Sequence, residues 1–302
     1  MKFVSFRNGT AVVPGLWLGE QVLDLAAAAK IAGARQDFGS MLAIIRGGEA
    51  ALAEARSLAA RAGEFKAALR PAAGLELLAP LPTLVRNAFC VGRNYVDHIK
   101  EGAAVLGAEV KLPPVPQFFT KATHALNSPN GDIRLDTTVT QRFDYEAELA
   151  VVLGRGGRDI PAAQAMSHIF GYTVANDFTA RDLQRRHDQW FKGKSLDTTL
   201  PIGPWIVDAQ EIGDPTTLEL TLTVNGEERQ HARVAQMIFD LPTIISSLSA
   251  GLTLEAGDVI ATGTPSGVGF AMKPPYELKD GDIVVTRIDR IGELHNRIVK
   301  VK

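Results

Sequence analysis

Two glutamates two residues apart, Glu146 and Glu148 in FDYEAELAVVLG, are the first residues of this chain whose type and spacing suggest chemistry. Alternate residues of a strand point to one face, so both carboxylates enter the same surface. Ala150 and Val152 continue that face while Tyr145, Ala147 and Leu149 cover the other, which predicts an internal strand. Ionised carboxylates side by side in such a surface are costly unless a proton or a cation compensates them. A divalent metal is one solution and a lysine or arginine another; a solvated sheet edge is the competing arrangement. Ligation by carboxylates alone favours the hard ions Mg2+ or Mn2+ over Zn2+. Asp177 closes the apolar run HIFGYTVAND and offers a third carboxylate at a predicted strand end. It competes as an N-cap for the helical FTARDLQRR, a role that Thr179, with Asp182 three residues on, can take instead.

Other polar residues cluster around these three. Arg181 and Gln184 are three residues apart on the helix that follows Asp177, so both can face the same site. Lys194 lies in WFKGKSLDT, which lacks the upstream glycine of a phosphate-binding loop. It reads either as a solvated lysine or as a buried cation beside the carboxylates. His98 and Glu101 in GRNYVDHIKE share a helix face, the spacing of a general base and the carboxylate that orients it, though also that of an ordinary surface pair. The remaining histidines show no metal-ligand spacing, and HExxH is absent. IATGTPSGVG has the glycines a backbone needs to approach a ligand closely, but no GxGxxG, so nucleotide binding is not supported. Cys90, in AFCVG, reads as core filler.

The elements that must position these groups fall into two parts. Residues 1–75 predict a small α+β domain: a hairpin at Asn8-Gly9, a strand-like WLGEQVLDL, and an alanine-rich helix over residues 50–69 with Leu52, Ala55, Leu58 and Ala59 on one face. Pro80 and Pro82 mark a connector. Residues 80–302 are strand-rich. Leu218, Leu220, Leu222 and Val224 alternate with polar residues up to an Asn225-Gly226 turn. Helices are few there: one near 94–105, one near 178–187 and one near 240–250. The βα alternation of a doubly wound sheet is absent, so the expectation is α+β, mainly β: a mixed, mainly antiparallel β-roll or sandwich.

Bulk properties exclude several classes. The chain has 302 residues, 46% hydrophobic and 22% charged, in the range of an ordinary globular protein. A formal net charge of −2 provides no pull toward nucleic acid or an anionic membrane. No apolar run approaches the ~20 residues of a membrane span. With one cysteine there is no internal disulfide, which points to a reducing, cytoplasmic setting.

Five segments occur in order: GRNYVDHIKE, FDYEAELAVVLG, GYTVANDFTARDLQ, WFKGKSLDTTLPIGPWIV and IATGTPSGVGF. In this the sequence resembles the fumarylacetoacetate hydrolase superfamily over residues 80–302, with the first 75 residues similar to a small domain appended in many bacterial members. The resemblance implies a roll-like β fold, a homodimer, and Mg2+ or Mn2+ held by Glu146, Glu148 and Asp177. It makes Lys194 a substrate-facing cation, places Arg181, Gln184, Gly263 and Thr264 against substrate, and identifies His98 and Glu101 with a lid dyad. The animal enzyme that names the family has a further aspartate ligand with no secure equivalent here; a water would fill that place, and fumarylacetoacetate itself is disfavoured as substrate. The reaction expected first is hydrolysis of a C–C bond in a 2,4-dioxo acid such as an acylpyruvate or fumarylpyruvate. His98 would activate water against the 4-oxo carbon and a pyruvate enolate would leave, with Lys194, Arg181 or Gln184 facing the oxyanion. The alternatives on the same site are decarboxylation of oxaloacetate, enol–keto isomerisation, isomerisation or decarboxylation of a 2-hydroxy-diene-dioate, and diketo sugar-acid cleavage or dehydration. A non-catalytic metal site is the distant one. Residues 94–130, with Gly102, Gly107, Pro113, Pro114 and Pro116, are expected to form a mobile lid.

Overall fold

A computed structural model describes all of residues 1–302. Its largest feature is a 12-stranded sheet whose centre is Leu200–Asp208, Ile169–Asn176 and Ala147–Leu153, followed by Val259–Ala261, Ala88–Gly92 and Gln117–Lys121. Neighbours in this run are antiparallel except Val259–Ala261 with Ala88–Gly92. A separate five-stranded sheet holds Glu227–Arg233, Glu219–Val224, Ile283–Ile288, Gly292–Lys300 and Ile133–Leu135. The mixed, mainly antiparallel β architecture matches the expectation.

The strand Ala147–Leu153 shows why the layers stack as they do. It is buried along its whole length, as two apolar faces require. Ala147, Leu149, Val151 and Leu153 pack into one core with Leu220, Leu222, Val284 and Leu294 of the second sheet. Ala150 and Val152 pack into another, shared with Leu25, Ile44, Leu52 and Leu58 of the N-terminal helices. Glu148 has the parity of Ala150 and Val152, so the carboxylates stand where the second face runs out at the strand's end.

In the first 75 residues the Asn8-Gly9 hairpin forms, with Asn8 opposite Ala11. The alanine-rich helix is Gly48–Ala60, shorter than expected, and continues as two single 3-10 turns. Two further helices, Leu25–Ala32 and Met41–Arg46, are capped by Asp24 and Ser40 and were not anticipated. The strand Lys2–Asn8 pairs with Leu200–Asp208, so this segment is hydrogen-bonded into the large sheet.

Beyond residue 80 the three expected helices appear as Val96–Leu106, Arg181–Arg186 and Leu241–Ser249. Three one-turn helices accompany them, Ala162–Ala165, Phe191–Lys194 and Ala209–Ile212, each too short for a periodicity to be seen. In residues 94–130, the segment expected as a mobile lid, Gln117–Lys121 is a strand paired residue by residue with Ala88–Gly92, which ties that part to the large sheet. The longest stretch there without helix or strand is residues 107–116, where Val110, Leu112 and Val115 are exposed. No helix is long and apolar enough to cross a membrane.

Candidate active site

Three carboxylates meet at the end of the central strands. Ligand atoms of Glu146, Glu148 and Asp177 lie within 4.8 Å of one another, and all three side chains are buried. Glu146 sits just before the strand Ala147–Leu153, held by two backbone bonds: its N–H donates to Asn176 Oδ1 (3.0 Å) and its carbonyl accepts from Asp177 N–H (2.8 Å). Asp177 directly follows the strand Ile169–Asn176, so antiparallel pairing delivers it to the two glutamates. It does not cap the next helix. Neither does Thr179, whose hydroxyl donates to the Asp177 carbonyl, while Asp182 accepts from Thr140 and Gln141.

Lysine and arginine are present as well. Lys194 is 2% exposed and donates to Glu146 Oε2 (2.6 Å) and Asp177 Oδ2 (2.7 Å). Lys121, fully buried, donates to Asp177 Oδ1 (2.6 Å) and to the carbonyl of Phe178. Arg181 reaches Glu146 Oε1 at 2.6 Å and Asp144 Oδ2 at 2.8 Å, and its Nη1 donates to Gln184. Lys194 owes its position partly to Gly193, where a Cβ would come within 2.4 Å of the Gln184 nitrogen. Burial works against the Lys194 charge, but Asp177 and Glu146 outweigh it and raise its pKa. Burial dominates at Lys121 and lowers it despite Asp177.

Glu148 is the exception. Its Oε2 accepts from the Gly263 N–H at 2.8 Å, and no side-chain cation touches it. Gly263 has φ +100°, and a Cβ there would press on Asn94 Cβ at 2.8 Å, so only glycine delivers that N–H. Burial, then Asp177 and Glu146, push Glu148 well above the usual carboxylate range. Burial alone would also raise Glu146, but Lys194, Arg181 and His98 hold it down at about 2. With Asp144 counted, four carboxylates face three cations, and one negative charge is left over beside Glu148. An all-oxygen donor set one positive charge short fits a hard divalent cation.

Of these groups Glu146, Glu148, Lys194, Arg181 and Gln184 line a cavity of about 590 Å³, together with His98, Thr264, Phe119, Trp190 and Phe270. His98 is on the helix Val96–Leu106, and its Nδ1 lies 2.8 Å from Glu101 Oε1. Glu101 Oε2 accepts from Gly267 N–H, which ties the dyad to the glycine-rich loop. With Nδ1 engaged, proton exchange with a ligand falls to Nε2. Arg181 lines the cavity, and its Nη2 is buried behind the wall with no hydrogen-bond partner. The sequence-predicted residues therefore converge. Gly263 enters through its backbone, and Thr264 accepts from Gln230.

Several residues were not anticipated. Lys121, Asp144, Asn176 and Gln230 are long-range partners of the site with no local pattern to mark them. Gln230 accepts from Ala147 N–H and donates to Thr264 Oγ1 and the Pro265 carbonyl. Asp144 accepts from Arg181, from Gly269 N–H at 2.8 Å and from Phe270 N–H at 3.2 Å, joining the helix to the turn that carries Phe270. Asp144→Ala leaves Arg181 half-compensated in a buried setting and should cost about 3–5 kcal/mol of stability. Equilibrium urea unfolding measures this, and a loss below about 1 kcal/mol would reject the role.

Known proteins resemble this chain over nearly its whole length. A family model described as fumarylacetoacetate (FAA) hydrolase C-terminal matches residues 87–299. The oxaloacetate tautomerase YisK of Bacillus subtilis is 42% identical over 304 residues, covering 99% of this chain and all of that protein. The solved fumarylacetoacetate hydrolase of Exiguobacterium antarcticum superposes with a TM-score of 0.80 at 37% identity, covering 99% of each chain. The maleylpyruvate hydrolase of Sphingobium sp. SYK-6, solved with manganese and pyruvate, superposes with a TM-score of 0.79 at 27% identity over the full length of both.

Proposed function

Since the chain belongs to the fumarylacetoacetate hydrolase family, we propose that it is an enol–keto tautomerase of oxaloacetate, working on the 2-oxo acid in the Glu146–Glu148–Asp177 cavity. This replaces C–C hydrolysis, the reaction expected first, with one of its alternatives. The observation that carries the reading is a His98–Glu101 dyad whose histidine lines one cavity with Glu146, Glu148 and Arg181, Asp177 closing the carboxylate cluster behind them. Full-length likeness to an oxaloacetate tautomerase supports it.

Tautomerisation needs one proton removed and one returned, at C3 and at the C2 oxygen, and no placed water. A divalent cation, Mg2+ or Mn2+, held by Glu146, Glu148 and Asp177 would supply the Lewis acidity that makes the C3 proton removable. His98 Nε2 takes the enol proton from the C2 oxygen and delivers it to C3, and in the reverse direction moves it from C3 to the oxygen. Glu101, at Nδ1, fixes the ring and stabilises the imidazolium. The Gln184 amide, whose oxygen accepts from Arg181, would face the oxygen on which charge builds, with the Arg181 charge behind it. Lys194 holds Glu146 ionised and keeps both Glu146 and Asp177 in place. The aromatic side chains Phe119, Trp190 and Phe270 limit water around the reacting carbons.

Hydrolysis of an acylpyruvate is the second reading, favoured by the same dyad, which would then activate water. The test follows the decay of the enol absorbance of oxaloacetate in weakly buffering solution with Mg2+ or Mn2+, and acylpyruvate cleavage in parallel. Metal-dependent acceleration of enol decay with little cleavage is the expected result. Cleavage without acceleration would overturn the proposal.

A further inference from the structure

The charges on the cavity wall are unevenly matched. Arg181 is compensated by Asp144 and Glu146 at the floor. Arg185 lies four residues further along the same helix, on the same face and about 5–6 Å away at Cβ. Both guanidinium groups stand over the ring of Phe270, at 4.6 and 5.5 Å from its centroid. Arg185 pairs with no carboxylate. Its neighbour Arg142 is taken by Glu277, and Asp188, three residues on, stands apart from it. Partial burial lowers the Arg185 pKa, and the charges of Arg142 and Arg181 act in the same direction. The other cations of the outer wall are engaged: Arg93 donates to the Lys111 carbonyl at 2.6 Å, and Lys111 lies 3.5 Å from Glu109. Arg185 is thus a planar, stacked guanidinium whose donors are all available, the geometry suited to gripping a carboxylate.

We propose that Arg185 binds the second carboxylate of a dicarboxylate whose 2-oxo acid end rests on the Glu146–Glu148–Asp177 floor, so that the cavity selects dianionic over monoanionic 2-oxo acids. The identification of that dicarboxylate as oxaloacetate rests on the tautomerase reading; the subsite itself follows from the placement of Arg185. The helix spacing sets Arg185 one turn beyond Arg181, and both line the same cavity, Arg185 on its exposed side. Stacking on Phe270 restrains the side chain in advance, which reduces the ordering cost of binding.

The test is calorimetric binding to the Mn2+-loaded protein, with two probes. Difluoro-oxaloacetate has both carboxylates and no C3 proton, so it cannot enolise. Oxalate occupies the floor alone. Arg185→Gln should raise the Kd of difluoro-oxaloacetate about tenfold or more and leave that of oxalate within about twofold. Arg185 is exposed and caps no element, so the variant should fold. Equal effects on both probes, no effect on either, or a wild-type protein that binds oxalate but not difluoro-oxaloacetate would overturn the subsite. Failure of the tautomerase reading looks different: the wild-type protein would bind both probes and discriminate through Arg185, yet leave enol decay unaccelerated.

Discussion

Glu148→Gln should abolish metal retention and turnover while leaving the metal-free protein folded. Glu148 is the one carboxylate of the three with no side-chain cation beside it, and its charge is the one left over in the cluster. Glutamine has the same shape, and its carbonyl oxygen can accept from Gly263 N–H as Glu148 Oε2 does. Removing a charge that burial, Asp177 and Glu146 already disfavour should not lower the unfolding midpoint of the metal-free chain. Changing groups that merely orient metal ligands typically costs about 10–100-fold in affinity, so loss of a ligand should exceed about a hundredfold. Titration with Mn2+ and metal content after dialysis provide the measurement. A variant that keeps stoichiometric Mn2+ and its activity would remove the carboxylates from the mechanism.

The second large effect belongs to His98. His98→Ala should lower kcat by about 10²–10⁴-fold, the range for losing a positioned acid–base group, with Mn2+ affinity nearly unchanged. The side chain lies on a cavity wall and 13% of it is exposed, so truncation opens space without emptying the core. Glu101→Gln should act in the same direction with a smaller loss, because it weakens the hold on Nδ1 but preserves the ring. It also weakens the bond from Gly267 N–H that docks the helix on the glycine-rich loop. An enzyme lacking His98 but working within about threefold of the parent would refute the dyad as the proton carrier. If only acylpyruvate cleavage failed in that variant, hydrolysis would become the leading reading.

Local patterns revealed a good part of this molecule. The two apolar faces around Glu148 predicted a buried internal strand, and the alternation from Leu218 to Val224 predicted a half-buried one; both are observed. The His98–Glu101 and Arg181–Gln184 pairs were legible because helix periodicity sets neighbours three residues apart, and both pairs are in contact. The helices missed are those of one turn, where no period repeats, and the two that follow Asp24 and Ser40, whose capping residues were overlooked. The lid was drawn too long because its glycines and prolines outweighed the strand signal in QFFTK.

By itself, then, the sequence determined the candidate residues: an E-x-E pair with both carboxylates on one face, an aspartate at a strand end, a histidine with its orienting glutamate, and a family's motifs in order. What compensates those carboxylates was decided only by tertiary structure. Lys121 meets Asp177 across 56 residues, Lys194 meets Glu146 across 48, and Gly263 meets Glu148 across 115. Such partners are chosen by strand pairing and sheet order, which bring distant segments to one end of the sheet. No spacing along the chain records them. The same nonlocal geometry leaves Glu148 without a side-chain cation and Arg185 without a carboxylate, and it is at these unmatched charges that a metal and the far end of a substrate are proposed.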